Sequence, residues 1–164
     1  MEIRGLRETD DRAAVSRIYE ESWRFAYQGI VPQAYLESIP AGRWAAHLDE
    51  ADRHTLLLVE EGRFIGTASF GPSRFIQWPE AGEIISLYLL PEAMGQGHGR
   101  ALLAAVIAQL ATLGYQELFL WVLEDNHRAR RFYEKAGFIP TEHVHEDAIG
   151  GKWLREIRYR YDVQ

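Results

Sequence analysis

The stretch from Glu83 to Leu110 constrains the fold more than any other part of the chain. Glu83 to Leu90 (EIISLYLL) is the most apolar run, of strand length, and its composition suits the centre of a sheet. Pro91 stops that strand, and Gly95, Gly97 and Gly99 follow at alternate positions. Beyond them Leu102, Leu103, Val106, Ile107 and Leu110 recur at helical spacing, with alanines filling much of the remaining surface. A buried strand, a glycine turn and an amphipathic helix in that order require a layered fold with helix packed on sheet.

The pattern extends in both directions. Upstream, Thr55 to Glu60 (TLLLVE) and Arg63 to Phe70 (RFIGTASF) flank Glu61-Gly62 as an antiparallel hairpin. Ahead of them Thr9 is placed to cap a helix carrying Val15, Ile18, Tyr19 and Trp23, which Gly29 ends. Pro32 and Pro40 are each placed to open a further short helix, the second including Trp44 and Leu48. Downstream, Gly114 closes the long helix and Leu118 to Val122 (LFLWV) forms another strand. Asn126 then caps a helix with Ala129, Phe132, Tyr133 and Ala136 on one face and Gly137 after its end. Phe138 onward and Trp153 to Val163 read as closing strands around Gly150-Gly151. This order predicts an α+β fold, one sheet with helices on both faces. With 164 residues and no repeat or linker, a single domain over residues 1–164 is expected.

Composition enters by exclusion. The chain has no cysteine, which removes disulfide scaffolds, thiolate metal sites and cysteine nucleophiles. With 18 Lys and Arg against 24 Asp and Glu, the net charge of -6 argues against a nucleic-acid partner and mildly favours a cationic one. No segment approaches the ~18 apolar residues of a membrane span, so no membrane partner is expected. Charges at Glu2, Arg4, Arg7, Glu8 and Asp10 exclude a signal peptide, which predicts a cytoplasmic location. Oligomeric state is not specified by these patterns.

The turn Met94 to Arg100 (MGQGHGR) lets backbone approach a ligand, and the helix behind it directs free N–H groups and a positive dipole end the same way. A pyrophosphate fits such a place. No Walker lysine follows, and the dinucleotide spacing Gly-x-Gly-x-x-Gly starts at neither Gly95 nor Gly97. From spacing alone, an anion cradle and a plain flexible turn both fit.

Two motifs together resemble the GCN-related N-acetyltransferase (GNAT) superfamily. Leu87-Tyr88-Leu89-Leu90-Pro91 followed by Gly95-Gln96-Gly97-His98-Gly99-Arg100 is similar to the family's acetyl-CoA turn, Gln/Arg-x-x-Gly-x-Gly/Ala after a strand ending aromatic-hydrophobic-x-Pro. Asn126 to Phe138 (NHRARRFYEKAGF) is similar to its second signature, Asn-x-x-Ala-x-x-Phe-Tyr-x-x-x-Gly-Phe. The likeness is close over residues 55–140, with Met94 standing where the family has Gln or Arg. WRFAYQGIVP (Trp23 to Pro32) and GGKWLREIRYR (Gly150 to Arg160) resemble a bacterial branch of largely unassigned substrate.

This resemblance implies a mixed, mostly antiparallel central sheet, acetyl-CoA as cosubstrate, and no metal. It implies that the central strand splays from its neighbour at a bulge, four residues after Glu83. Leu87, Tyr88 and Leu89 would meet the pantetheine through backbone groups, with Leu89 N–H facing the thioester oxygen. Gly95, Gln96, Gly97, His98, Gly99 and Arg100 would hold the pyrophosphate, and Asn126 would contact the coenzyme while capping its helix. Tyr133 matches the tyrosine that protonates the coenzyme sulfur, with packing beside Phe132 as the bland alternative. Glu83 has the spacing of the base glutamate in the histone-acetylating branch; a strand-end surface charge is its alternative. Trp23, Tyr27, Trp78, Trp121 and Trp153 are candidates for the acceptor cleft or for the core. His143 and His145 share a strand face without a third metal ligand, which favours a solvated pair.

The expected activity is acetyl transfer from acetyl-CoA to a primary amine on a small cationic molecule. Transfer is direct, since neither a cysteine nor a Gly-x-Ser-x-Gly elbow offers a covalent acyl-enzyme. Two alternatives stay open. A protein N-terminal or lysine acetyltransferase needs an open cleft, and a non-catalytic acyl-CoA-binding regulatory domain dispenses with Glu83 and Tyr133.

Overall fold

The computed structural model describes residues 1–164. Its strands are β1 (Glu2–Gly5), β2 (His54–Glu60), β3 (Arg63–Pro72), β4 (Gly82–Leu89), β5 (Glu117–Leu123), β6 (Ile139–Ile149) and β7 (Lys152–Asp162). The helices are α1 (Arg12–Ala26), α2 (Gln33–Ser38), α3 (His98–Thr112) and α4 (His127–Lys135). All seven strands form one sheet in the order β1-β2-β3-β4-β5-β7-β6. Every neighbouring pair is antiparallel except β4 and β5. The fold is therefore the α+β, mostly antiparallel arrangement expected. No helix is long and apolar enough to cross a membrane.

Local chemistry explains most of the boundaries. Glu61 and Gly62 both take positive φ, 51° and 75°, as a two-residue hairpin requires. Helix α1 is capped by Asp11, whose side chain accepts from Ala13 N–H at 2.9 Å, and not by Thr9. The cause is Asp10, which accepts from Arg4 and from Arg7 N–H and closes a turn that pushes the helix start downstream. The helix expected from Pro40 is only a 3-10 turn at Ala45–Asp49. This segment is tied to α1 by side chains, through Gly42 N–H to Glu20 and Trp44 N–H to the Ser16 hydroxyl.

Alternation along β5 divides the two faces of the sheet. Leu118, Leu120 and Val122 pack with Ile84 and Leu89 against Leu102, Leu103, Val106 and Leu110 of α3. Each fully buried leucine of that stripe contributes about 1.5–3 kcal/mol. On the opposite face, Val15 and Tyr19 of α1 cover Leu57, and Leu36 of α2 covers Leu123 and Leu154.

Strands β4 and β5 touch only briefly, at Gly82↔Leu118 and Glu83↔Phe119. Gly82 permits this approach, because a Cβ there would stand 3.0 Å from both Leu118 and Tyr115. Beyond it the β3–β4 register slips, Phe70 facing Ile84 while Ser69 faces Ser86, which leaves Ile85 as the extra residue. A bulge bends its strand, and β4 turns away from β5. The bulge thus falls at Ile85, two residues earlier than the resemblance implied.

Candidate active site

The split between β4 and β5 leaves one edge of Ile84–Leu89 without a strand partner. Leu90 N–H bonds Ile65 carbonyl at 2.8 Å across the β3–β4 ladder. In an antiparallel ladder the bonded pairs alternate, so Tyr88 is bonded to Thr67 while Leu89 and Leu87 turn their N–H and C=O into the split. Two of the three expected backbone contacts are therefore available. Tyr88 differs from the expectation: its backbone is committed to β3, and it is its side chain that reaches the cleft. Backbone groups without a strand partner are free to bond an extended ligand carrying amides.

The glycine turn lies just past this edge. Gly95 and Gly97 take φ of +77° and +84°, and a Cβ on either would meet nothing within 4 Å. Gly97 is the N-cap of α3 and has no side chain to cap it. The first helical bond runs from Ala101 N–H to Gly97 carbonyl, which leaves the N–H groups of His98, Gly99 and Arg100 for a ligand. The side chains do less than the backbone here. His98 turns its ring towards Met1 and Glu60, and Gln96 braces the turn by donating to Glu92 carbonyl. Gly99 serves helix packing instead, since a Cβ there would stand 3.3 Å from the Phe132 ring of α4. Arg100 is exposed beside the turn, and Met94 packs against the core.

Helix α4 forms the other wall. Asn126 caps it by accepting from Ala129 N–H at 3.2 Å. No residue of α4 is fully buried. Its position is held by Arg130 donating to the Tyr159 hydroxyl, which donates in turn to Glu134. Tyr133 packs its ring against Phe132 and Phe138, while its hydroxyl makes no hydrogen bond within the chain. Burial pushes that phenol well up, and Tyr88 adds to the effect. Tyr88 itself is raised to about 12 by burial, against bonds from Trp23 at 3.1 Å and with Tyr27 at 3.4 Å. Tyr27, also raised chiefly by burial, responds to both Tyr88 and Tyr133. Three tyrosine hydroxyls thus converge on the split, one of them without a partner.

A half-empty parallel pair, a bare strand edge and an uncapped helix beside a glycine turn form one connected feature. The chain matches the Acetyltransferase (GNAT) family over residues 13–138. It belongs to that family. It is 34% identical to the uncharacterized N-acetyltransferase YuaI of Bacillus subtilis, over 90% of this chain and 86% of that protein. It is 28% identical to the spermidine N(1)-acetyltransferase of Thermoplasma acidophilum, over 97% and 98% of the two chains. Among solved structures, YncA of Salmonella typhimurium, determined with acetyl-CoA, shares the fold at a TM-score of 0.76. The identity is 23%, over 99% of this chain and 94% of that one.

Within this GNAT fold, Glu83 is not the free carboxylate that was expected. It is 1% exposed, and both oxygens are taken by Arg74, at 3.0 Å from Nε and 2.6 Å from the terminal nitrogen. Arg74 N–H also donates to it at 3.0 Å. The pair fastens the loop after β3 to the last residue before the split. Arg74→Ala is expected to destabilise the fold by about 1–3 kcal/mol, below the range for a fully buried pair because the guanidinium is half exposed. Glu83→Gln, which keeps a hydrogen-bonding amide, is expected to cost less. Denaturant unfolding checks both, and equal stability of all three proteins would contradict the assignment.

The aromatic candidates separate. Trp23 and Tyr27 bond Tyr88 at the split, whereas Trp78 and Trp121 join Phe75 and Phe119 in a cluster further along the same face. Arg158 already lies under that cluster, 4.0 Å from the Trp78 ring centre. His145 packs on Trp121 and His143 on Trp78. Trp153 is 71% exposed and takes no part. The residue missed in the sequence is Glu156 on β7. It is partly buried, makes no hydrogen bond or ion pair, and burial raises its pKa from the ordinary value. Its charge is felt by both Tyr27 and Tyr88. Only the alternation of β7, with Leu154 and Arg158 on the same face, could have pointed to it.

Proposed function

We propose that this protein transfers an acetyl group from acetyl-CoA directly to a primary amine on a small cationic molecule. The supporting observation is the bare edge of β4, which runs from the split to the uncapped start of α3 as one track. Pantetheine amides would bond Leu87 and Leu89, and the pyrophosphate would lie on the N–H groups of His98, Gly99 and Arg100. Asn126, its oxygen used in capping, retains an amide N–H to offer the coenzyme.

In this reading Leu89 N–H meets the thioester oxygen, where negative charge develops as the amine attacks. Tyr133 donates a proton to the departing sulfur. Its burial keeps the phenol protonated throughout the physiological range, so the donor is always charged with its proton. Glu83 holds the loop after β3 in place and is not the base. The cationic acceptor is favoured by the net charge of -6 and by the polyamine named for the Thermoplasma acidophilum relative.

The test is thiol release from acetyl-CoA with spermidine, shorter primary amines, neutral and acidic amines, and peptides with free N-termini or lysines. A chain without cysteine contributes no thiol of its own. Amine-dependent release fastest with cationic small molecules is expected. Turnover of peptides alone would move the reading to a protein acetyltransferase, and coenzyme binding without turnover of any acceptor would move it to a regulatory domain.

A further inference from the structure

We propose that the Glu156 carboxylate binds the acceptor's ammonium group and takes its proton before attack, a role that rests on the amine acetylation proposed above. Glu156 lies on β7 opposite Leu123 of β5 and His145 of β6, so the three side chains share one face of the sheet. Two residues before it, Leu154 packs with Leu123 beneath α2; two residues after it, Arg158 lies under Trp78 and Phe119. The carboxylate therefore rises between an apolar cluster and an aromatic one, at the mouth of the β4–β5 split.

The acids on β4 and β5 and just after β5 have arginine partners, while Glu146 and Asp147 on the exposed β6 edge strand make no ion pair. Glu83 is held by Arg74, Glu117 by Arg158 and Arg160, and Glu124 by Arg155. Glu156 has none. His145 of β6 lies directly across from it, and the groups close enough to act on its charge are Tyr27 from the end of α1, Tyr88 from β4, Arg74 from the loop after β3, and Asp147 from β6. Arg74 and His145 favour its charge and Asp147 opposes it, while Arg74 is already committed to Glu83. A partly buried carboxylate without a partner is costly unless a cation or a proton meets it. An ammonium group supplies both.

Glu156 accepts one proton from R–NH3⁺, leaving R–NH2 with a free lone pair. Nitrogen bonds to the thioester carbonyl carbon, and the C–S bond breaks as Tyr133 gives its phenolic proton to sulfur. A second proton leaves nitrogen and restores the phenol, while Glu156 passes the first to solvent. The products are the acetamide, the coenzyme thiol and one proton.

The experiment compares wild type with Glu156→Gln across pH, using spermidine and whichever amine of the panel turns over fastest. At neutral pH kcat/KM is expected to fall ~100-fold, with the deficit shrinking as pH nears the amine's own pKa and solvent supplies the neutral form. Because burial raises Glu156 in the folded state, its charge costs stability above that pKa. Glu156→Gln should therefore melt no lower than wild type at neutral pH, and any advantage should fade as pH falls. A kcat/KM within threefold of wild type with the same acidic limb would overturn the proposal. The second readout is an NMR titration of the Glu156 carboxyl carbon in the full chain saturated with coenzyme A, its signal assigned by its loss in the variant. A carboxyl titrating above the ordinary range, and perturbed by added spermidine, is expected. One titrating in the ordinary range and untouched by spermidine overturns the proposal, even if no amine releases thiol and the acetylation reading fails separately.

Discussion

Gly97→Val is expected to weaken acetyl-CoA binding by about 1–3 kcal/mol, roughly 5- to 150-fold, as read by calorimetry. Two effects act together. A branched residue at φ +84° strains the backbone of the N-cap, and its side chain enters the space in front of the α3 N–H groups. Nothing within the chain lies in that space, so the variant has no clash to prevent its folding. Gly151→Val is the control, because Gly151 has nearly the same φ, +83°, and equally open surroundings in the β6–β7 turn. It should cost similar backbone strain and leave coenzyme affinity unchanged. Equal effects of the two substitutions on binding would remove the pyrophosphate from this turn.

Tyr133→Phe is expected to lower kcat by ~10- to 100-fold and to leave acetyl-CoA affinity nearly intact. The hydroxyl has no partner within the chain, so its removal deletes no hydrogen bond and should not lower the melting temperature. The ring contacts with Phe132 and Phe138 persist in phenylalanine. Packing and catalysis are thereby separated. The loss is bounded because a thiolate of pKa near ~8.5 leaves with modest help from an acid. An unchanged kcat with a fast acceptor would make the hydroxyl a bystander.

The sequence carried the parts of the fold that local chemistry specifies. Paired residues of positive φ at Glu61-Gly62, apolar spacing in α3 and the Asn126 cap all act within a few residues, and all are where their patterns predict. The cap of α1 was misplaced because Asp10 is held by Arg4, an interaction that no helix-start pattern contains. The candidate site was legible in the sequence where its proposed contacts are made by backbone. Alternate glycines after a strand ending in proline specify an open turn ahead of α3, and that turn forms without reference to anything distant.

Side-chain roles were less legible because they depend on partners from other elements. Glu83 on a buried strand resembles a base until Arg74, across the turn from β3 to β4, takes both its oxygens. Tyr88 resembles a backbone contact until the bulge at Ile85 sets which residues of β4 face the split. Glu156 carries no motif. Its neighbours arrive from α1, β4, β6 and the loop after β3, and only their convergence distinguishes it from the other acids of β7 and its surroundings.

A crystal structure of the protein with coenzyme A tests the central claim most directly. The account places the pantetheine along β4, with amide hydrogen bonds of about 2.9 Å to Leu87 and Leu89. It places the pyrophosphate on the N–H groups of His98, Gly99 and Arg100, and the sulfur within hydrogen-bond reach of the Tyr133 hydroxyl. A coenzyme bound away from the β4–β5 split, or one whose sulfur points away from Tyr133, would contradict it.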